Sequence, residues 1–365
     1  MATIFDYIIW RDIELEKVEV NEIDYLILSR FSYLPFDGLI DENEKITIKE
    51  CYERFKKKGK RELVIMKNDF KLFQILANSK RFGKLIITKY INKIDLKAEK
   101  QFSAICVFLP NKEIAVLFRG TDNSIIGWKE DFNMSFSTAV PSQQDAVEYL
   151  ENISSRYKGK ISITGHSKGG NLAIYSAVFC NKKTKKKIKK VYNFDGPGFN
   201  EKVIDSEEYM GVLEKIHNYI PQTSVVGRLF ENKGKLTIVK SNEKGFWQHD
   251  LYSWSVLGDK FVESEITNSS EFVDKTLTNW LLNVDETERK KFVDTLFEIV
   301  EATGAKSFAE MSTNKFTAAK TIIKTYQHLD PLSKKFMNKA LNLFLVYGKE
   351  NGVELLPSRF RKAKK

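Results

Sequence analysis

Residues 161–172 read Ile-Ser-Ile-Thr-Gly-His-Ser-Lys-Gly-Gly-Asn-Leu, which sets Ser167 midway between Gly165 and Gly169. A strand-like run enters the serine and a helical pattern leaves it, the arrangement of a nucleophile elbow. In such a turn the backbone at the serine is strained and its hydroxyl stands exposed. Side chains two residues to either side would collide with the adjoining strand and helix, hence the glycines. A serine hydroxyl is a weak nucleophile until a base takes its proton, and the base needs an acid to fix its tautomer and stabilise its cation. The chemistry these residues point to is attack of Ser167 on a carbonyl carbon.

Four histidines are available as the base. Behind an elbow of this kind the chain order is serine, acid, histidine, so a base downstream of Ser167 is expected. His166 adjoins the nucleophile and is expected to direct its ring into the elbow, away from the reacting face. His217 lies inside the strand-like run 216–220, and His328 in a late helical pattern. His249 sits in a loop after the last strand signal, Phe-Trp-Gln-His-Asp-Leu-Tyr-Ser-Trp at 246–254, and is the expected general base. Charge developing on the carbonyl oxygen needs donors aimed at it. The Lys168 amide is one, and Thr121, in Phe-Arg-Gly-Thr-Asp at 118–122, offers an amide and a hydroxyl. Asp131 is the natural ion-pair partner of Arg119, in a purely structural role.

The elements that must hold these groups follow from periodicity. Residues 1 to about 100 alternate helical patterns and charged turns, with helices expected over 21–33 and 47–58. Two apolar runs, 102–109 and 113–118, flank the turn Pro110-Asn111-Lys112 and read as a β-hairpin. An amphipathic helix is expected over 141–157, and after the elbow come strands at 190–194, 215–220 and 236–240. Such repetition of strand and helix implies a largely parallel sheet with helices on its faces. Beyond Leu257 the pattern is helical over 270–283, 286–302, 315–329 and 331–347.

Phe-Arg-Gly-Thr-Asp at 118–122, Trp128 with Asp131, and Gly-His-Ser-Lys-Gly-Gly at 165–170 together resemble the class 3 (fungal-type) lipase branch of the α/β-hydrolases. With Tyr-Asn-Phe-Asp-Gly-Pro-Gly-Phe at 192–199 and Gln-His-Asp at 248–250, the chain is more closely similar to a bacterial subfamily of that branch. The resemblance covers roughly residues 20–256. It implies an α/β-hydrolase fold over residues 1–256, a mostly parallel sheet flanked by helices, and the helical periodicity adds an α-helical C-terminal extension over 257–365. It also implies a Ser-His-Asp triad. Class 3 lipases carry their acid in an Asp-x-Val-Pro stretch after the seventh strand, and the similar segment here begins at Ser224. Asp195, at the end of the preceding strand, replaces it in this reading, since adjacent strand ends lie about 5 Å apart. Asp250 is the rival, disfavoured because consecutive side chains seldom meet. Lys168 stands where lipases usually have leucine. Its ammonium either lies near the mouth of the site, favouring an acidic or phosphorylated substrate, or snorkels to solvent.

Composition sets the surroundings. The net charge of +11 is local: seven lysines fall within 181–190 and five cations within 359–365, neither segment holds an acid, and the remainder sums to about −1. Specific nucleic-acid recognition is not expected, because the runs lack interleaved aromatics, whereas weak attraction to anionic lipid headgroups is. The N-terminus lacks the basic and apolar regions of a signal peptide and no apolar run spans a bilayer. Cys51, Cys106 and Cys180 form no C-x-x-C pair and read as reduced packing residues of a cytoplasmic protein. No metal or organic cofactor is expected. The function expected is that of a serine hydrolase, an esterase or lipase acting on a small-molecule or lipid ester or thioester through an acyl-enzyme. The alternatives are an acyltransferase or peptidase on the same triad, or a scaffold without turnover that binds a partner or membrane.

Overall fold

A computed structural model describes residues 1–59, 66–122, 124–134, 139–305, 310 and 315–350. In chain order the first elements are α1 (Ile4–Trp10), α2 (Glu22–Phe31), β1 (Ile46–Thr47), α3 (Ile48–Lys58) and α4 (Lys67–Asn78). Then come β2 (Ile86–Asp95), β3 (Lys100–Leu109), β4 (Glu113–Phe118), α5 (Ile125–Asn133), α6 (Pro141–Arg156), β5 (Lys160–His166), α7 (Lys168–Phe179) and α8 (Lys182–Lys187). They are followed by β6 (Ile188–Phe194), α9 (Glu201–Ile204), α10 (Glu207–Met210), β7 (Ile216–Pro221), β8 (Lys235–Val239) and a small hairpin of β9 (Val256–Leu257) and β10 (Lys260–Phe261). Four helices end the described chain: α11 (Asn268–Asn283), α12 (Glu286–Glu301), α13 (Lys315–His328) and α14 (Pro331–Glu350).

The strands β1 to β8 form one sheet in sequence order, antiparallel from β1 to β4 and parallel from β4 to β8. This is an α/β fold. Strand β5 is buried along all but its first residue because helices cover both faces. One face packs against α2, where Ser29 and Thr164 hydroxyls meet at 2.6 Å, and the other against α6 and α7 through Leu150, Ile163, Leu172 and Val178. The hairpin expected at 102–118 is β3 and β4, and the strands expected after the elbow are β6, β7 and β8.

Strand β2 lies in a region whose sequence pattern is helical turns and charges. A register shift between Thr88 and Ile91, with Lys89 at φ 58°, breaks its alternation, and its far end is exposed. The lysine-rich stretch 181–190 is also structured, as α8 capped by Asn181 and the start of β6.

The chain divides into two compact units, one of Met1–Asp122 with Thr138–Glu265 and one of Asn123–Ser137 with Ile266–Lys365. Within the second, Ile125 of α5 is buried with Val293 and Phe297 of α12, and Phe132 meets Phe297 edge-on. Ile299 of α12, Leu329 directly after α13 and Met337 of α14 are buried together. The basic residues of 359–365 lie outside the described residues.

Candidate active site

Ser167 caps the step from β5 to α7 with φ 58° and ψ −133°. Its amide donates to the Phe194 carbonyl at 3.0 Å and its carbonyl accepts from the Gly170 amide at 2.9 Å, so both flanks of the strained residue are pinned. The flanking glycines are obligatory. A Cβ at 165 would lie 2.1 Å from the Gly169 carbonyl oxygen, and one at 169 would lie 2.2 Å from that of Phe118. The loop after β4 presses equally close: a Cβ on Gly120 would stand 3.1 Å from the Ser167 Cβ, which brings the backbone entering Thr121 against the nucleophile.

Asp195 follows β6 with φ 51° and is buried. Its amide donates to the Tyr219 carbonyl at 2.8 Å. One carboxylate oxygen, Oδ1, accepts from the Ser224 hydroxyl at 2.5 Å and the Gly227 amide at 3.1 Å. The other, Oδ2, lies 2.7 Å from Nδ1 of His249. Asp250 is turned to a different task, its Oδ1 accepting from the Tyr252 amide at 3.0 Å, and burial raises the pKa of its carboxyl. Ser224, where the lipase pattern has aspartate, thus donates to the carboxylate that the neighbouring strand end supplies.

His249 ends a 3-10 turn over Gly245–His249. The loop is held by Gln248, whose side chain accepts from the Thr223 amide at 2.8 Å and donates to the Glu243 carbonyl at 2.9 Å, and by Trp254, whose indole donates to the Gln248 carbonyl at 2.8 Å. His166 does not turn away from the site as expected. Its ring packs against that of His249 with centroids 4.4 Å apart, and its Nε2 lies 2.9 Å from the His249 carbonyl oxygen. Nδ1 of His166 is 2.9 Å from the Tyr33 hydroxyl. Burial, reinforced by His249 and then Arg30, lowers the pKa of His166 well below the ordinary histidine value. The ring is therefore neutral. A carbonyl can only accept, so Nε2 carries the proton and Nδ1 accepts from Tyr33.

The other two histidines stand apart from this cluster. His217 lies on β7 opposite Lys235, and His328 bonds the Lys324 carbonyl within α13. Lys168 meets neither expectation for its ammonium. The side chain is buried, and Nζ donates at 2.8 Å to both the backbone and side-chain oxygens of Gln101, because two acceptors on β3 supply what solvent would. Arg119 is held by Asn92 at 3.0 Å and by Asp122 at 3.3 Å. Among the described residues no group of three or more His, Cys, Asp or Glu side chains is placed to hold a metal ion, and no helix is long and apolar enough to cross a membrane.

Residues 76–298, more than half of the chain and spanning elbow, acid turn and histidine loop, match the Mbeg1-like family model. The chain belongs to the Mbeg1-like family. Among solved structures, this Mbeg1-like chain is similar to the Rhizomucor miehei lipase propeptide complex, at 16% identity, over 60% of this chain and 67% of that one, with a TM-score of 0.38. It is also similar to a triacylglycerol lipase from Penicillium expansum, at 14% identity, over 50% and 74%, with a TM-score of 0.32. No curated protein matches its sequence.

One residue of the Mbeg1-like site carries no obvious signal in the sequence. Tyr33 reaches the elbow from just beyond α2, more than a hundred residues upstream, and nothing in its neighbourhood marks it. Asn193 and Ser224 are different. Asn193 Oδ1 accepts from the Gly196 amide at 2.9 Å, and Ser224 Oγ from the Gly227 amide at 3.0 Å. Both are side chains bonding a glycine three residues on, a local turn signature readable in Asn-x-x-Gly and Ser-x-x-Gly.

Proposed function

We propose that this chain is a serine hydrolase that cleaves a carboxylic ester or thioester. The observation that carries the reading is the 2.7 Å contact between Asp195 Oδ2 and His249 Nδ1, on a ring that packs beside the elbow of Ser167. With Nδ1 donating to the carboxylate, the second ring nitrogen is an acceptor, the tautomer a general base requires. Ser167 attacks the carbonyl carbon while His249 takes its proton. Asp195 stabilises the imidazolium, and the amides of Thr121 and Lys168 receive the charge on the oxyanion. Collapse expels the alcohol or thiol, protonated by His249. Water, deprotonated by the same ring, then releases the acyl group as a carboxylic acid. No cofactor enters these steps.

The substrate class is a small-molecule or lipid ester. The finer placement, a bacterial relative of class 3 lipases working in the cytoplasm, rests on the motifs and on three buried free cysteines, which suit a reducing compartment. A fluorophosphonate probe tests the activity directly. Prompt labelling at Ser167 is expected, absent in Ser167→Ala and slowed about 10⁴-fold in Asp195→Asn, the loss seen when a triad histidine is left in the wrong tautomer. An inert wild-type protein, folded by circular dichroism, would instead favour a scaffold without turnover.

A further inference from the structure

Strands β4 to β8 are parallel, so their amino ends share one edge of the sheet, opposite to the end that carries Ser167. That edge is cationic. Lys160 opens β5, Lys183 and Lys186 stand on α8, Lys190 pairs with Ser162 early in β6, and Lys235 opens β8 beside His217. All five lysines are exposed. Three nearby carboxylates are engaged elsewhere: Glu113 is buried against Lys189 at 2.7 Å, Asp205 holds Lys233 at 2.6 Å, and Glu151 accepts from the Asn181 amide at 2.7 Å. Glu207 and Glu208 on α10 and Glu214 just before β7 are exposed, and the five lysines outnumber them.

Two of the lysines, Lys190 and Lys235, act on one neighbour, His217, and Lys160 acts on Lys215. Nζ of Lys215 donates to the Lys185 carbonyl at 2.9 Å, and its pKa is lowered by burial and by Lys160. His217 is pushed down to about 4, first by burial and then by Lys190 and Lys235.

We propose that this edge docks the protein on an anionic phospholipid surface. Lysine is a hydrated point charge that suits headgroup phosphates without the fixed fork with which arginine reads planar anions. No aromatic residue interrupts 181–190, so the run offers no ladder on which bases would stack, which disfavours nucleic acid. Apolar side chains flank the cations at the same edge: Phe179, the last residue of α7, is 37% exposed and Leu236, directly after Lys235, is 49% exposed. Such a mixture of lysines and exposed apolar groups fits the boundary between headgroups and acyl chains. From Lys160 to His166 strand β5 rises about 20 Å, at roughly 3.3 Å per residue, so a protein docked by this edge keeps its elbow directed away from the bilayer.

Sedimentation of the full-length protein with vesicles tests the proposal. Binding is expected to vesicles of phosphatidylglycerol mixed with phosphatidylcholine but not to phosphatidylcholine alone, and it should disappear near 1 M salt, where the Debye length is ~3 Å. Each lysine at an anionic surface is worth about fivefold in partition, so Lys183→Glu/Lys186→Glu/Lys190→Glu should bind more than a hundredfold more weakly. The triple variant should keep the wild-type melting temperature, since none of the three side chains is buried. A second variant, with the cations of 359–365 changed to Gln, should retain most of the binding. Equal binding to both vesicle types, undiminished binding by the triple variant, loss confined to the tail variant, or release from vesicles by duplex DNA or RNA at equal phosphate would each overturn the proposal.

Discussion

Two residues at neighbouring strand ends, Ser167 at φ 58° and Asp195 at φ 51°, hold left-handed backbones that side chains other than glycine adopt at a cost of order 1 kcal/mol each. Both are tied down by backbone bonds across the strand ends, Ser167 to Phe194 and Asp195 to Tyr219. The frame of glycines about Ser167 made the first legible in the sequence, because a steric requirement leaves a trace in residue type. The second left a weaker trace: Asp195 is favoured only once strand ends are laid side by side. Tyr33 left none, although it donates to the ring that in turn holds the His249 carbonyl. Removing that hydroxyl leaves Nδ1 of a buried ring without its donor and frees His166 to adopt the other tautomer, which would set a lone pair against the carbonyl of residue 249. A buried acceptor left unsatisfied costs about 1–3 kcal/mol, so Tyr33→Phe is expected to slow fluorophosphonate labelling of Ser167 about tenfold or more. Pairing rate with melting temperature separates the roles. A slower rate with a melting point lowered by only a few degrees supports positioning of the base, and an unchanged rate removes it.

At the level of elements, the parallel half of the sheet and the β3–β4 hairpin were readable and strand β2 was not. Strands β5 to β8 are short apolar runs between helices, whereas β2 carries a bulge, an exposed end and a lysine in a left-handed conformation, features that erase period two. The elbow is the tightest junction among these elements. At Gly169 the first turn of α7 crosses the end of β4, and an added methyl group would fall 2.2 Å from the Phe118 carbonyl oxygen. Neither partner is a flexible side chain, so helix and strand must separate. Gly169→Ala is expected to cost about 3 kcal/mol or more in urea unfolding at neutral pH. It should also abolish labelling of Ser167, since the Lys168 amide and the serine move with the helix. Stability within about 0.5 kcal/mol of the wild type would mean that the two elements sit further apart than described.

For the whole molecule, composition told the size of the charge and the sequence its location, but the partition of the chain into units depended on packing that no local pattern records. Helix α5 lies between two segments of the first unit in sequence and belongs to the second. Its buried contact, Ile125, is made with Val293 and Phe297, some 170 residues later. A chain ended after Glu265 would keep the α/β unit intact and still carry α5, stripped of α12. Each large apolar side chain returned to water forfeits on the order of 2 kcal/mol. The truncated protein is therefore expected to bind a hydrophobic dye, to self-associate and to melt below the full-length chain. Replacing residues 123–137 by a flexible Gly/Ser linker in the same truncation removes the orphaned helix, and should restore a monomeric species that no longer binds dye. If the simple truncation is already monomeric and dye-silent, α5 does not depend on the C-terminal helices for its burial. If the linker version aggregates as badly, the exposed apolar surface comes from elsewhere in the α/β unit.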